Sequence, residues 1–597
     1  MAPIGVESGP TRGIDQMSAT EVRTDHTGGS DDQTPAGADA DARTDSTADA
    51  PPRRRLLSVA GFEFTGVVVA VVFAWLSATP SLLPRGPLFQ GVVTGASAAV
   101  GYSLGVFAAW VLRYMLSHET RWSSPGPRVW LVTAVIAVIG TAAVGVWFSD
   151  WQTEIRDLMG VDHLTGWAYP VIAVVAIIVS VLLMAVGRGW AALVRWLGTF
   201  SRRFLPPRVA RTVAAAIVVL ITVFLVNGVL VDYSMRALNG AFAAANDETH
   251  ADTRPTTSRL RSGGPESLVN WDSLGRQGRT FISNSPTTDE LAAFNKAPAV
   301  EPIRVFAGLN SADDVYDRAE IAARELERTG GLRRAVVAIA STTGSGWINR
   351  ATVDSIEYMY NGNTATVSMQ YSYLPSWLSF LSDQDRARKA GLALFEAVDE
   401  RIRALPLNER PRVVVFGESL GSFAGEAAFG TIPSITARAD GALFVGPTFS
   451  NSVWNDATDQ RDTGSPQWLP IYRDGANVRF VADPDDLTRP DAAWGDRRVV
   501  YLQHASDPIS WWSPRLILNK PDWLKERRGR DVLGSTRWIP FVTFLQVSAD
   551  MAISTDVPDG HGHHFLAAIP YAWAEILRPP GWTQAKTETL IPLLTRS

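Results

Sequence analysis

Cysteine is absent from the 597 residues of this chain, which excludes disulfide bonds, thiolate metal sites and a cysteine nucleophile. An excess of basic residues is absent as well, because 55 Lys and Arg residues stand against 60 Asp and Glu residues and give a formal net charge of −5. The basic side chains are spread along the chain, so the composition does not favour a nucleic-acid partner. The length is sufficient for more than one domain.

Large apolar residues are scarce in residues 1–55, which are rich in Ala, Asp, Thr, Gly and Ser. A segment of this composition buries too little apolar surface to offset the entropy that it would lose on ordering, so we predict a disordered tail. The tail does not have the pattern of a signal peptide, because the first apolar run begins only after Arg53, Arg54 and Arg55.

Charge is almost absent from five long apolar runs that follow the tail, near residues 59–80, 89–112, 129–148, 167–187 and 212–231. Each run is close to the ~20 residues that a helix needs to cross a bilayer. Gly and Ala recur in the second and third runs, which is typical of closely packed helices. The sequence therefore predicts an α-helical membrane domain over residues 56–232, with about five transmembrane helices.

Arginines are distributed unevenly between the two ends of these predicted helices. The connections that contain Arg85 and Arg156 hold no other arginine, whereas arginines cluster before the first run, between the second and third, and between the fourth and fifth. The positive-inside rule then places the N-terminus in the cytoplasm and everything after about residue 232 outside, facing the cell envelope. We interpret the Ser81–Arg85 turn as a helix stop with an interfacial arginine, with contact to a substrate headgroup or to the soluble domain as the alternatives.

Residues 233–300 are rich in Pro, Ser, Thr and charge and are predicted to form a connector or strap. In residues 301–597, strand-like and helix-like segments alternate, which is typical of a mostly parallel sheet with helices on both faces. We predict a helix over residues 385–405. The predicted strands are residues 334–340, 364–371, 413–416, 442–445, 499–502 and 541–547.

A strand, a sharp turn and the start of a helix follow one another in residues 411–425, PRVVVFGESLGSFAG. The apolar run 413–416 is typical of a central parallel strand that is covered on both faces. Gly417-Glu418-Ser419-Leu420-Gly421 matches the G-x-S-x-G nucleophile elbow, in which the glycines leave room for a strained turn that presents the serine hydroxyl. The pattern therefore predicts Ser419 as a nucleophile.

A serine nucleophile needs a base, and the base needs a carboxylate that orients it. In α/β-hydrolases these residues follow one another in the order Ser, Asp or Glu, His. Asp507 lies on the loop beyond the predicted strand 499–502, at the end of the strand where such a sheet presents its site. It also suits the N-cap of a helix that begins at Pro508, and the two roles are compatible. We predict Asp507 as the acid of the triad.

Three histidines lie close together in VPDGHGHHF, residues 557–565, after the predicted strand 541–547. His563 is favoured as the base because its surroundings match the Gly-His loop common in these enzymes, and His561 is the close alternative. A metal site formed by the histidines with Asp559 is disfavoured, because such close neighbours seldom all point at one ion. We predict neither a metal nor another cofactor, and we expect His504 to have a structural role.

An oxyanion hole needs two donors directed at the developing negative charge. One donor is predicted to be the backbone N–H of Leu420, directly after the nucleophile. The other is expected from the loop STTGSGW, residues 341–347, which follows the predicted strand 334–340. Thr342 and Thr343 are the candidates there.

The chain resembles the membrane-embedded α/β-hydrolases frequent in actinobacteria, which join a helical N-terminal membrane domain to an α/β-hydrolase catalytic domain. The resemblance rests on WDSLGRQGR (271–279), TTGSGW (342–347), QYSYLPSWLS (370–379), FGESLGS (416–422), DGALFVGP (440–447), LQHASDPISWW (502–512) and VPDGHGHHF (557–565). It implies the fold, the membrane domain and a serine-hydrolase site at Ser419. It implies no substrate.

From these features we expect a multi-pass cell-membrane protein whose extracytoplasmic serine hydrolase cleaves an acyl ester of a lipid or lipid-linked envelope substrate. An acyltransferase remains an alternative, because it would use the same acyl-enzyme. The non-enzymatic alternatives are a membrane scaffold in which the G-x-S-x-G turn is not catalytic, or a transport-associated protein. Transport is disfavoured because charges within the predicted membrane helices are almost absent.

Overall fold

The structure, a computed structural model, describes residues 62–116, 125–225, 232–251 and 253–595. The predicted disordered tail 1–55 lies outside the described residues, as do Arg53, Arg54, Arg55 and Arg121 and the end of the fifth apolar run. For these segments the sequence analysis stays a prediction.

The apolar runs form helices α1 (Phe64–Leu76), α2 (Pro87–Met115), α3 (Pro127–Met159), α4 (Ala168–Ser201) and α5 (Pro207–Phe224). Four of them, α2 to α5, are long and apolar enough to cross a membrane, whereas the described α1 has 13 residues. The most apolar windows of α3 and α4 are 0% buried within the protein. Helices with apolar side chains around their outer surface are suited to a lipid environment.

Helix α2 packs closely against both α1 and α4 because glycines face its neighbours. A Cβ atom at Gly105 would lie 2.7 Å from the carbonyl oxygen of Thr65 on α1. At Gly95 it would lie 2.7 Å from the carbonyl oxygen of Ala176 on α4. Larger side chains at these positions would force the helix backbones apart.

The predicted connector carries helices α6 (Asp232–Asp247), α7 (Gly275–Ser283) and α8 (Thr288–Asn295). Buried Arg304 fastens this strap to the soluble domain, because its Nη1 donates to the carbonyl oxygens of Phe281 at 2.8 Å and Asn284 at 2.6 Å. The same guanidinium pairs with Asp354 at 2.6 Å and with Glu357 at 2.8 Å. A buried arginine requires such partners, since an unpaired buried charge is strongly unfavourable.

Seven parallel strands form one sheet in the described residues, in the spatial order β1-β3-β2-β4-β5-β7-β6. They are β1 (Ile303–Ala307), β2 (Val336–Ser341), β3 (Thr364–Met369), β4 (Arg412–Glu418), β5 (Gly441–Val445), β6 (Val478–Val481) and β7 (Arg498–Leu502). The predicted mostly parallel sheet is confirmed. Strands β1 and β6 were not predicted; each carries a buried arginine, Arg304 or Arg479, in its second position.

Helices cover both faces of the sheet. On β4, Val413 and Val415 belong to one apolar core, whereas Val414 and Phe416 belong to the core on the opposite face. The helices of this domain are α9 (Val315–Arg328), α10 (Arg350–Met359), α11 (Ser376–Ser382), α12 (Gln384–Arg403), α13 (Leu420–Glu426), α14 (Ile432–Arg438), α15 (Ser452–Asp459), α16 (Pro508–Trp511), α17 (Asp522–Lys525), α18 (Val542–Met551), α19 (Ala568–Leu577) and α20 (Gln584–Leu594).

The prediction of a strand over residues 541–547 was wrong, because this segment forms the start of helix α18. Val542, Gln546 and Asp550 are all buried and lie four residues apart, which places them on one helix face. That face packs on the turn between α1 and α2: Gln546 Nε2 donates to the carbonyl oxygen of Thr79 at 2.8 Å. The histidine segment therefore follows a helix that contacts the membrane domain, and the turn is more than a helix stop.

Candidate active site

The G-x-S-x-G motif forms the sharp turn between β4 and α13, with Ser419 at φ 55° and ψ −121°. Positive φ is strained for a residue other than glycine. The two glycines permit the turn by close backbone contact. A Cβ atom would lie 2.2 Å from the Gly421 carbonyl oxygen if placed at Gly417, and 2.4 Å from the Ser341 carbonyl oxygen if placed at Gly421.

Asp507 and His563 are joined by a buried hydrogen bond of 2.7 Å between Oδ2 and Nδ1. Asp507 follows β7 and is 0% exposed. Its other carboxylate oxygen, Oδ1, accepts the N–H of Ile509 at 2.8 Å and so caps α16. The cap fixes the carboxylate in place, which leaves Oδ2 directed at the imidazole.

The imidazole of His563 lies at the same strand ends as Ser419. The register pairs Glu418 with Val445, so the next residues along β4 and β5 are Ser419 and Gly446. The ring packs directly on Gly446, because a Cβ atom there would lie 2.2 Å from His563 Cε1. Nε2 of His563 is buried and has no hydrogen-bond partner among the described residues. It is therefore free to accept a proton.

Two carboxylates influence the protonation of His563. Burial disfavours the imidazolium, but the charge and hydrogen bond of Asp507, together with the charge of Glu418, outweigh it and raise the pKa of His563. Burial in turn raises the pKa of Glu418, against the opposing effects of His563 and of a 2.6 Å hydrogen bond from Asn349. The charge of Glu418 thus adds to that of Asp507 in raising the pKa of His563.

The candidate oxyanion donors differ in whether their backbone N–H groups already donate to another acceptor. The N–H of Thr343 donates to the Trp347 carbonyl oxygen at 3.2 Å, whereas the N–H of Thr342 has no acceptor in the described part of the chain. The Thr342 hydroxyl donates to the Met369 carbonyl oxygen at 2.9 Å, which fixes the loop. Leu420 begins α13, and the first N–H groups of a helix lack intrahelical acceptors. The N–H groups of Leu420 and Thr342 are therefore the available pair.

Two family models match the chain. One, described as an alpha/beta-hydrolase family, matches residues 303–590, and the other, described as the N-terminus of an alpha/beta-hydrolase family, matches residues 78–286. The chain belongs to this alpha/beta-hydrolase family. The matches run from the turn after α1 to helix α20 and so include the apolar helices α2 to α5 and the sheet. No significant match to the chain is found among curated proteins or among solved structures.

His561, the alternative base, pairs with a different carboxylate from Asp507 in this α/β-hydrolase-family protein. Its Nδ1 is 3.9 Å from Oδ2 of Asp531. Asp531 accepts the backbone N–H of Ser506 at 3.2 Å and also accepts its hydroxyl. The structure thus brings His563, and not His561, to Asp507. The Asp531–Ser506 contact was not anticipated, because no local motif marks Asp531.

The loop that carries His563 is held by several backbone contacts. The N–H of Gly562 donates to Ser506 Oγ at 2.8 Å, and the N–H of His563 donates to the Ser554 carbonyl oxygen at 2.8 Å. His504 Nδ1 lies 2.9 Å from the Gly562 carbonyl oxygen, and its ring stacks on Phe565 at a centroid distance of 4.2 Å. Burial lowers the pKa of His504, which suits a neutral donor to a carbonyl.

The residues considered for a metal site are engaged elsewhere. Oδ2 of Asp559 accepts the N–H of Ala567 at 2.8 Å, and Nδ1 of His564 lies 3.3 Å from the Val557 carbonyl oxygen. In the part of the chain that the structure describes, no group of three or more His, Asp or Glu side chains could hold a metal ion.

Proposed function

We propose that this chain is a membrane-anchored serine hydrolase that cleaves an acyl ester of a lipid or lipid-linked envelope substrate. The observation that carries the proposal is the buried 2.7 Å contact between Asp507 and His563, with Nε2 of that imidazole left without a partner. The ring lies against Gly446, beside the strained turn of Ser419. The contact between base and orienting acid, with Ser419 at the neighbouring strand end, supports acyl transfer to this serine.

In the first half of the reaction, Ser419 Oγ attacks the acyl carbonyl carbon while His563 Nε2 takes the hydroxyl proton. Asp507 accepts the Nδ1–H hydrogen bond, which fixes the tautomer and stabilises the imidazolium. The N–H groups of Leu420 and Thr342 donate to the oxyanion of the tetrahedral intermediate. The intermediate collapses when the alcohol departs with the proton from His563. The acyl group then remains as an ester of Ser419.

In the second half, water attacks the acyl-enzyme. His563 takes a proton from the water as the carbon–oxygen bond forms. The second tetrahedral intermediate then collapses, the bond between the acyl carbon and Ser419 Oγ breaks, and the carboxylic acid is released while His563 returns the proton to Ser419 Oγ. If a hydroxyl of another molecule replaces water, the same steps transfer the acyl group to that molecule.

A membrane substrate is supported by the contact between the apolar helices and the hydrolase core. Leu82, Leu83, Ile155 and Met159 from the α1–α2 turn and α3 belong to the same buried cluster as the sheet residues. The core beneath the candidate site therefore packs against the membrane domain, which supports this substrate class. A catalytic site held next to the membrane domain can bind an acyl lipid while that lipid remains in the bilayer.

An extracytoplasmic site is supported by the same contacts. Arg85 and Arg156, the two arginines on the arginine-poor side of the helices, lie at the junction with the soluble domain, where Arg156 Nη2 donates to the Arg85 carbonyl oxygen at 3.0 Å. The arginine-rich connections lie at the opposite helix ends. By the positive-inside rule, the hydrolase then lies outside the cytoplasm.

The test is fluorophosphonate labelling of the intact, detergent-solubilised protein. Wild type should be labelled on Ser419, Ser419→Ala should not be labelled, and His563→Gln should lose labelling while the matched His561→Gln keeps it. A folded wild type that stays unlabelled would contradict the proposal. Release of free fatty acid from acyl lipids, compared with transfer to an added alcohol, then separates a hydrolase from an acyltransferase.

A further inference from the structure

The turn Ser81–Arg85 between α1 and α2, which we name the docking turn, is buried against α18. Oδ2 of Asp550 accepts the backbone N–H of Leu82 at 3.1 Å and also accepts the Ser81 hydroxyl. Arg85 Nε lies 3.6 Å from Asp550 Oδ1, and both side chains are 0% exposed. Charges are buried in this way only where a partner compensates them. The two hydrogen bonds to Oδ2, together with this ion pair, therefore fix the position of α18 relative to the docking turn.

The fixed end of α18 leads directly to the segment 557–565, which we name the histidine loop. Four residues after Asp550, the carbonyl oxygen of Ser554 accepts the N–H of His563 at 2.8 Å. This bond joins the end of α18 to the backbone of the proposed base. A shift of α18 would therefore move His563 relative to Asp507 and Ser419.

The docking turn also contacts the histidine loop itself. Leu83 is 0% exposed, and its Cδ2 lies 3.4 Å from the position that a Cβ atom would take at Gly562. The same position is 2.6 Å from the Ser554 carbonyl oxygen. Gly562, at φ 54°, is thus enclosed between the end of α18 and a side chain of the membrane domain. His563 is the next residue.

We propose that the docking turn is a positioning element for His563, so that the reactivity of Ser419 depends on contact between the membrane domain and the histidine loop. The positioning residues are Leu83 on the docking turn and Asp550 on α18, and neither touches the reacting atoms. The proposal rests on the proposed function for its effect on catalysis, whereas the contact that it invokes does not depend on catalysis. Truncation to the soluble domain would remove the positioning along with the anchor.

The test compares Leu83→Ala with Ile155→Ala in the intact solubilised protein. Both side chains are almost fully buried in the same core cluster, at 0% and 1% exposure, but Ile155 lies on α3 and outside the docking turn. Both variants should be destabilised by the loss of buried apolar groups. Labelling at saturating fluorophosphonate should slow about 10- to 100-fold only in Leu83→Ala, because misplacement of a catalytic group by about 1 Å has such an effect.

Hydrogen exchange of residues 557–565 supplies a readout that does not require catalysis. The N–H groups of Gly562 and His563 should exchange faster in Leu83→Ala than in Ile155→Ala, and Leu83→Ile should restore both the exchange and the labelling rate. Asp550→Asn, which keeps an acceptor for the Leu82 N–H but removes the charge beside Arg85, should also slow labelling.

The outcomes separate the two proposals. If wild type is labelled and Leu83→Ala is slowed no more than Ile155→Ala, the positioning proposal is overturned while the serine hydrolase stands. If wild type is not labelled at all, the proposed function fails. In that case unchanged exchange of the histidine loop in Leu83→Ala would overturn the positioning contact as well.

Discussion

Replacement of Asp507 by asparagine separates the two roles of this carboxylate, which caps a helix and orients His563. Oδ1 caps α16 through the N–H of Ile509 at 2.8 Å, and Oδ2 accepts the Nδ1–H of His563 at 2.7 Å. Asparagine keeps an oxygen for the cap but places an amide NH₂ opposite the imidazole. That group donates a hydrogen bond, so Nδ1 must become the acceptor and the proton moves to Nε2. An imidazole protonated there cannot take the proton of Ser419.

The expected magnitude follows from these contacts. A wrong tautomer of this kind lowers the rate of acylation by about 10⁴, which corresponds to about 5 kcal/mol of transition-state stabilisation. The stability of Asp507→Asn should suffer less than that of Asp507→Ala, which also loses the helix cap at a further cost of about 1 kcal/mol. Activity and stability are therefore predicted to respond differently to the two substitutions.

The assay is the rate of fluorophosphonate labelling at saturating probe, measured with the midpoint of thermal unfolding for each variant. We expect both substitutions to abolish measurable labelling, and only Asp507→Ala to lose the cap contribution to stability. Labelling of a folded Asp507→Asn variant within about tenfold of wild type would refute the role of Asp507 in orienting His563.

Three further predictions concern other residues of the domain that carries the sheet. Glu418→Gln removes a charge that raises the pKa of His563, so the acid limb of the labelling rate against pH should move to lower pH; an unmoved limb contradicts this coupling. Gly421→Ala places a Cβ 2.4 Å from a backbone carbonyl oxygen and should destabilise by about 1–3 kcal/mol with loss of labelling, whereas exposed Gly430→Ala, with nothing within 4 Å, should do neither. Burial raises the pKa of Glu426 from 4.5 to about 7, so the contribution of this carboxyl to stability is complete below pH 4.5 and is lost as the pH rises through about 7. Glu426→Gln should therefore reduce the fall of the melting temperature between these two pH values. A melting temperature that falls as steeply in Glu426→Gln as in wild type would contradict this prediction.

Buried arginines explain why strands β1 and β6 were not predicted. Strand β1 carries Arg304 and strand β6 carries Arg479, and a charge in a short apolar run lowers its resemblance to a buried strand. The compensating groups lie elsewhere: Asp354 and Glu357 pair with Arg304, whereas carbonyl oxygens of later loops accept from Arg479. Only the folded chain brings these partners to the strands.

The error at residues 541–547 has a similar origin. The segment is apolar enough to resemble a strand, but the helix that it begins carries the buried polar residues Gln546 and Asp550. These residues bind the turn between α1 and α2, 467 to 469 residues earlier in the chain. No local pattern shows that such polar groups will be buried. The four-residue spacing of Gln546 and Asp550 was the available signal for a helix.

The sequence by itself determined the apolar helices, the parallel sheet and the turn at Ser419, because each depends on residues adjacent in the chain: long apolar runs, alternating strand and helix patterns, and glycines that permit a strained turn. The tertiary structure decided that His563, and not His561, contacts Asp507, and that the N–H of Thr342, unlike that of Thr343, has no acceptor among the described residues. These choices depend on contacts between loops from different strands. It also decided that the α1–α2 turn supports the histidine loop, since a buried ion pair between distant segments forms only when the chain has folded.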